Sequence, residues 1–204
     1  MKNKSFINLK SASINCLQDV HELLKKDKFI KNIFLSGGES LNVLKNNLSI
    51  LNLRRKSNIH LTDERVTSNK SYLNSIKLKK IKIKKINFKD NFNLNNLKNL
   101  NKIDDSMPKK NFISILGVGE DGHIASIFDP KKELVLNKSM ILTKRSNEDF
   151  FRVSLSYNYL SKSKKIFLIF SNRKKMKQTK NKNTIVYKFL KKNSKKILNY
   201  FVTE

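Results

Sequence analysis

Residues 111–128 read NFISILGVGEDGHIASIF, and how this stretch is read decides the fold. Its first part, NFISIL, is an apolar run of strand length that ends at glycine, as suits a strand buried on both faces. Gly117, Gly119 and Gly122 then crowd into a turn that leads to His123. The apolar IASIF that follows reads as a short helix stopped by Pro130. A strand, a glycine turn and a helix in this order present backbone N–H groups to an anion.

The chain has only 5 glycines in 204 residues, where ordinary usage would supply about 14. Glycine therefore survives where a β-carbon is not tolerated, at positive φ or at a close backbone approach. The remaining two, Gly37 and Gly38, lie in LSGGES (35–40), directly after the apolar NIFLS. The chemistry is expected at these two turns.

Further out, strands and helices alternate. SFINLK is a strand candidate, and residues 13–26 carry Ile14, Leu17, Val20, Leu23 and Leu24 at helical spacing. A second helix is expected over 40–48. NIHLT reads as a strand that delivers TDER (62–65) at its carboxyl end. IKKINF is a strand candidate with a weak helix after it. SMILT, the alternating FRVSLS (151–156), KIFLIF and ILNYFV complete the strands, with a helix starting near Arg173. Such alternation predicts an α/β fold, a mainly parallel sheet with helices on both faces, in one domain spanning 1–204.

Composition bounds the function. Cys16 is the single cysteine, so neither an intramolecular disulfide nor a multi-cysteine zinc site is possible. No His/Cys/Asp spacing suggests a metal, and no cofactor is expected. The N-terminus shows no signal-peptide pattern and no apolar run is long enough to span a membrane, so a cytoplasmic location is expected. The net charge of +28 arises from 44 Lys+Arg against 16 Asp+Glu. Those cations are nearly all lysines, spread along the chain and mixed with asparagine. This reads as drift toward Lys, Asn and Ile and not as a nucleic-acid surface, which would favour clustered arginine.

The residues at the turns suit proton transfer beside a bound anion. His123 is a base suited to neutral pH, and at a helix N-terminus the macrodipole would keep its ring neutral. Asp121 is placed either to cap that helix or to orient the imidazole. Gly117 and Gly119 would bring backbone donors to a developing oxyanion. Ser36, Gly37, Gly38 and Ser40 form a phosphate cradle of N–H groups and a hydroxyl. Asp63 suits a sugar hydroxyl or a positioned water, and Arg65 suits phosphate or substrate oxygens. Arg152 and Lys174 are the remaining cation candidates.

LGVGEDGHIASIF, with LSGGES, TDER, FRVSLS and FLIFSNRKK in the same order, resembles the 6-phosphogluconolactonase family. The resemblance implies a Rossmann-like sheet and metal-free opening of the δ-lactone of 6-phosphogluconate in the oxidative pentose phosphate route. It further implies that His123 activates water, that the Ser36–Ser40 turn, Arg152 and Lys174 hold phosphate, and that Arg65 holds substrate. Oligomeric state is left open. The chain departs from the family at Ser40-Leu41, where many members have Thr-Pro, and Glu39 puts a negative charge beside the cradle. The family's segment leading to Ser-Asn is compressed here to VTSNKSYLN, which leaves the place of Asn74 open. Glucosamine-6-phosphate deaminases are similar at the first turn and at Asp-Gly-His-Ile-Ala. They have tyrosine where Arg65 stands and Phe-Asn-Glu-Pro where this chain has Ser126–Asp129. A non-catalytic, lysine-rich nucleic-acid-binding protein is the alternative of a different class.

Overall fold

A computed structural model describes residues 2–51, 56–79, 83, 86–89, 92, 107–129 and 138–203. Pro130 and nearly all of the segment after IKKINF lie outside the described residues.

Seven strands form one parallel sheet: β1 (Lys2–Phe6), β2 (Asn32–Leu35), β3 (Ser57–Leu61), β5 (Ile86–Lys89), β6 (Phe112–Gly117), β9 (Lys165–Phe170) and β10 (Ile197–Val202), in the order β1-β10-β9-β6-β2-β3-β5. β4 (Asp63–Val66), β7 (Met140–Thr143) and β8 (Phe151–Leu155) form a separate antiparallel sheet in the order β4-β8-β7. SMILT and FRVSLS thus leave the main sheet, and the residues after Thr62 form a strand of their own. Thr62 joins the sheets, because its N–H donates to Leu35 O at 2.9 Å while its carbonyl accepts from Leu155 N at 2.7 Å.

Register assigns the two faces of the main sheet. Ile33, Leu35, Ile113, Ile115, Phe167 and Tyr200 share one face. That face meets α1 (Leu9–Lys26), where the Tyr200 hydroxyl donates to Asp19, and α2 (Gly38–Asn47) packs on β6. Phe34 and Phe112 point the other way, onto Tyr159 of α4 (Tyr157–Leu160), with ring centroids 5.8 and 5.0 Å away. Stacking and edge contacts of this kind add to the gain from burying three large rings. The last helices are α5 (Arg173–Lys177) and α6 (Ile185–Asn193), after α3 (Asn74–Lys79).

Two boundaries differ from the sequence reading. Asn8 caps α1 by accepting from Ser11 N at 2.9 Å, so the helix starts at Leu9 and the first strand ends at Phe6. IASIF forms no helix. Ile124 bridges both Val118 and Ile127, and Ala125 takes a φ of 52°, which breaks helical geometry.

The topology places the site. From β2 the chain moves to β3 and β5 on one side, then returns to β6 on the other. The carboxyl ends of β2 and β6 therefore flank the crevice where strand order reverses, the point at which open α/β sheets bind ligands. Both glycine turns begin there.

Candidate active site

A cleft of about 340 Å³ opens at this crevice, lined by both turns and by the near edge of the second sheet. The first turn supplies Ser36, Gly37, Gly38 and Ser40, and the second supplies Gly117, Gly119 and His123. Asp63, Arg65 and Arg152 arrive from β4 and β8, where Arg65 and Arg152 stand in register. Residues far apart in sequence are thus brought together.

The first turn caps α2 without a side-chain bond, since Gly37 is the N-cap. Ser40 is consequently inside the helix and buried, not at its cap. The first N–H groups of α2 have no intrahelical partner and carry the positive end of the macrodipole, which makes an anion cradle. Gly38 enters the helix at a φ of 76°, where an L side chain would be strained.

The second turn works differently from the expectation. Gly117 N–H donates to Ser36 Oγ at 2.6 Å, Val118 N–H to Ile169 O at 3.1 Å, and Gly119 N–H to His123 O at 2.9 Å. These donors are spent inside the protein, so Gly117 and Gly119 do not form an oxyanion site from their N–H groups. Their glycine identity makes room instead. A Cβ on Gly119 would lie 2.0 Å from the His123 ring.

With no helix after it, His123 gains nothing from a macrodipole; its partner is Asp121. Asp121 Oδ1 is hydrogen-bonded to His123 Nδ1, and Oδ2 accepts from Arg145 Nη2 at 2.8 Å. Partial burial opposes ionisation of Asp121, but its bonds to His123 and Arg145 outweigh that and hold its pKa well below the usual carboxylate range. An ionised Asp121 can only accept, so Nδ1 carries the proton and Nε2 is the basic nitrogen. The ring lies against Phe128, with centroids 4.9 Å apart, and Arg145 and Arg152 both stack over the same phenyl ring.

Asp63 is buried and fully engaged. It accepts from Thr62 Oγ1 at 2.9 Å, from Ser126 Oγ at 2.7 Å and, at a long 3.4 Å, from Gly37 N. It ties the two turns and the second sheet together and has little capacity left for a sugar hydroxyl. Arg65 donates to Tyr72 O at 2.5 Å, while its buried Nε has no partner. Arg152 is paired twice with Glu148, through Nε at 2.7 Å and through Nη2. Partial burial works against Glu148, yet the Arg152 bonds and charge keep its pKa lowered.

A match to Glucosamine-6-phosphate isomerases/6-phosphogluconolactonase spans residues 9–184. The chain belongs to the glucosamine-6-phosphate isomerase/6-phosphogluconolactonase family. A relative named 6-phosphogluconolactonase, from Helicobacter pylori (strain ATCC 700392 / 26695), is 34% identical over 170 residues, covering 74% of this chain and 71% of the relative. The solved 6-phosphogluconolactonase of Shewanella baltica OS155 shares the fold, with a TM-score of 0.77 at 18% identity, over 100% of this chain and 98% of the other. That of Thermotoga maritima aligns with a TM-score of 0.76 at 19% identity, over 100% and 99%.

Within this family member, the lysine of the cleft is Lys175 and not Lys174. Asn172 caps α5 by accepting from Lys175 N at 2.9 Å. Lys175 is buried and reaches Glu39 Oε2 at 2.7 Å, whereas Lys174 is exposed and pairs with Glu120 at 2.8 Å. The Lys174 assignment is corrected accordingly. Arg145 also lines the cleft and was missed; it lies two residues beyond the end of β7. Asn74 is wholly buried under the first turn, with its Nδ2 donating to Asp63 O at 3.3 Å. A Cβ on Gly37 would lie 2.0 Å from that nitrogen. Asn74 is thus a support of the turn. Glu64 anchors it by accepting from Asn74 N at 2.8 Å and Ser75 N at 2.7 Å.

Proposed function

We propose that this protein hydrolyses 6-phospho-D-glucono-1,5-lactone to 6-phosphogluconate. The observation that carries the reading is His123, its Nδ1 held by an ionised Asp121, in one cleft with an unpartnered helix N-terminus and the cations Arg152 and Lys175. One base and one anion cradle are what a phosphorylated lactone requires.

In the proposed reaction His123 Nε2 takes a proton from water as the water oxygen bonds to the lactone carbonyl carbon. The carbonyl oxygen becomes an oxyanion, which the cleft guanidiniums of Arg65, Arg145 and Arg152 would stabilise. The intermediate then collapses and the bond to the ring oxygen breaks. That oxygen receives the proton from the imidazolium, and the free acid leaves with a new hydroxyl. The phosphate would rest on the first N–H groups of α2 beside Lys175 and Arg152. Asp121 keeps its charge throughout and holds the ring tautomer. No step needs a metal or cofactor, and the location would be cytoplasmic; no described helix is long and apolar enough to cross a membrane.

A coupled assay that follows 6-phosphogluconate formation tests the reading, with correction for spontaneous opening. Rates above the spontaneous rate that are lost in His123→Ala support it. Turnover of glucosamine 6-phosphate instead would assign the deaminase alternative. Absence of either turnover, with salt-sensitive binding to DNA or RNA, would assign the non-catalytic alternative.

A further inference from the structure

Three cations of the cleft each lie beside a carboxylate of the same chain: Lys175 with Glu39, Arg152 with Glu148 and Arg145 with Asp121. Glu39 differs from the other two acids by its position. It is the second residue of α2, so its N–H belongs to the anion cradle while its carboxylate bears on the cation beside that cradle. Lys175 Nζ donates to Glu39 Oε2, and the Ser171 hydroxyl donates to the same oxygen at 2.7 Å. The lysine is buried, whereas Glu39 is well exposed and free to swing into solvent.

We propose that Glu39 is an internal competitor for the phosphate site, whose carboxylate must be displaced from Lys175 and which thereby selects doubly charged anions over singly charged ones. The inference rests on reading the cleft as a phosphate site. A carboxylate offers Lys175 one negative charge. A phosphodiester offers no more, so exchanging Glu39 for it gains little. A phosphate monoester carries a charge of about −1.5 to −2 near neutral pH and has three terminal oxygens. It can replace Glu39 at Lys175 and still accept from the N–H groups of α2. In a chain with a net charge of +28, which attracts anions of every kind, such a filter keeps singly charged groups out of the cleft.

Calorimetric titration of the whole protein with inorganic phosphate and with dimethyl phosphate, near pH 8 and at constant ionic strength, tests this. Wild-type protein should bind phosphate and show no measurable binding of dimethyl phosphate. Glu39→Gln should tighten phosphate about two- to fivefold, the scale for an exposed partner, and make dimethyl phosphate binding measurable. Glu39→Ser should do the same, which guards against a defect peculiar to one variant. Adding Lys175→Met should cancel the gain. Equal or weaker phosphate binding in both Glu39 variants would overturn the proposal, because Glu39 would then only hold Lys175 in place. Equal wild-type affinity for the two anions would overturn it too. The readout involves no turnover, so the two proposals fail separately. Tighter phosphate binding without lactone hydrolysis removes the substrate and leaves the filter standing; hydrolysis without tightening does the reverse.

Discussion

The Ser36 hydroxyl accepts a hydrogen bond from the Gly117 N–H at 2.6 Å and so joins the turns that follow β2 and β6. These turns flank the switch point of the sheet, and the bond sets the width of the crevice between them. A Cβ on Gly117 would lie 2.5 Å from Ser40 Oγ and 3.0 Å from Ser40 Cβ, and Ser40 is buried. Gly117→Ala is therefore an overpacking change that should cost about 1–3 kcal/mol, read as a lower urea midpoint at unchanged slope. Ser40→Ala in the same chain should restore part of the loss. An unchanged midpoint in Gly117→Ala would mean that the turns are not tightly joined.

The Asp121–His123 pair makes a prediction about pH. The folded-state pKa of Asp121 is depressed, so the stability it adds is present above the ordinary carboxylate range and is lost as pH falls through the folded value. Asp121 stays ionised wherever imidazole can serve as a base. Asp121→Asn should lower kcat by on the order of 10²- to 10⁴-fold, the scale for a positioned acid–base group that loses its correct tautomer. A normal kcat in this variant would show that Asp121 does not act through His123.

Much of this site is legible in the sequence because the chain spends its glycines so sparingly. Gly37 and Gly38 mark the first turn, and Gly117, Gly119 and Gly122 the second, each behind a strand whose apolar run is unmistakable. The division into two sheets is not legible. Pairing of Asp63–Val66 with Phe151–Leu155 joins segments nearly ninety residues apart, and local pattern carries no record of such a partner. FRVSLS alternates in sequence, yet Arg152–Leu155 are all buried, because Ser154 meets Ser126 of the second glycine turn and Arg152 lies over Phe128 and Phe150. IASIF misled for a physical reason as well. Five residues are too few for periodicity to separate a helix from a folded-back turn, and Ala125 adopts a positive φ without being glycine. Lys174 and Lys175 are chemically identical neighbours, and only the packing of α5 makes one exposed and paired with Glu120 and the other buried and paired with Glu39.

Asn74 should act on binding through the turn it supports. Its side chain fills the space under Gly37, and its Oδ1 is buried without a partner. Asn74→Ala empties that space and should loosen the cradle, raising KM for the phosphorylated lactone more than it lowers kcat. Asn74→Asp keeps the shape but places a carboxylate beside the buried Asp63, and should be the more destabilising of the two in thermal unfolding. Equal loss of kcat/KM on phosphorylated and unphosphorylated gluconolactone would make Asn74 a general packing residue and not a support of the cradle.

The two neighbouring lysines offer a controlled comparison. Lys175 is buried and lines the cleft beside the cradle, whereas Lys174 does not line it and is exposed, paired with Glu120 at the cleft edge. Lys175→Ala and Arg152→Ala should each remove about 1.5–3 kcal/mol of charge-assisted hydrogen bonding to phosphate. The loss should appear in kcat/KM for the phosphorylated lactone and largely vanish with unphosphorylated gluconolactone. Lys174→Ala removes the same formal charge from the same helix, but from an exposed ion pair, and should change either rate by less than about twofold. Long-range attraction by the many lysines of the chain is altered equally in the two lysine variants, so a difference between them isolates contact from field. Equal effects of Lys174→Ala and Lys175→Ala would mean that lysine acts here only through the field and that the phosphate lies elsewhere in the cleft. An Arg152→Ala variant that harms both lactones alike would place Arg152 at the reacting end of the substrate, beside His123.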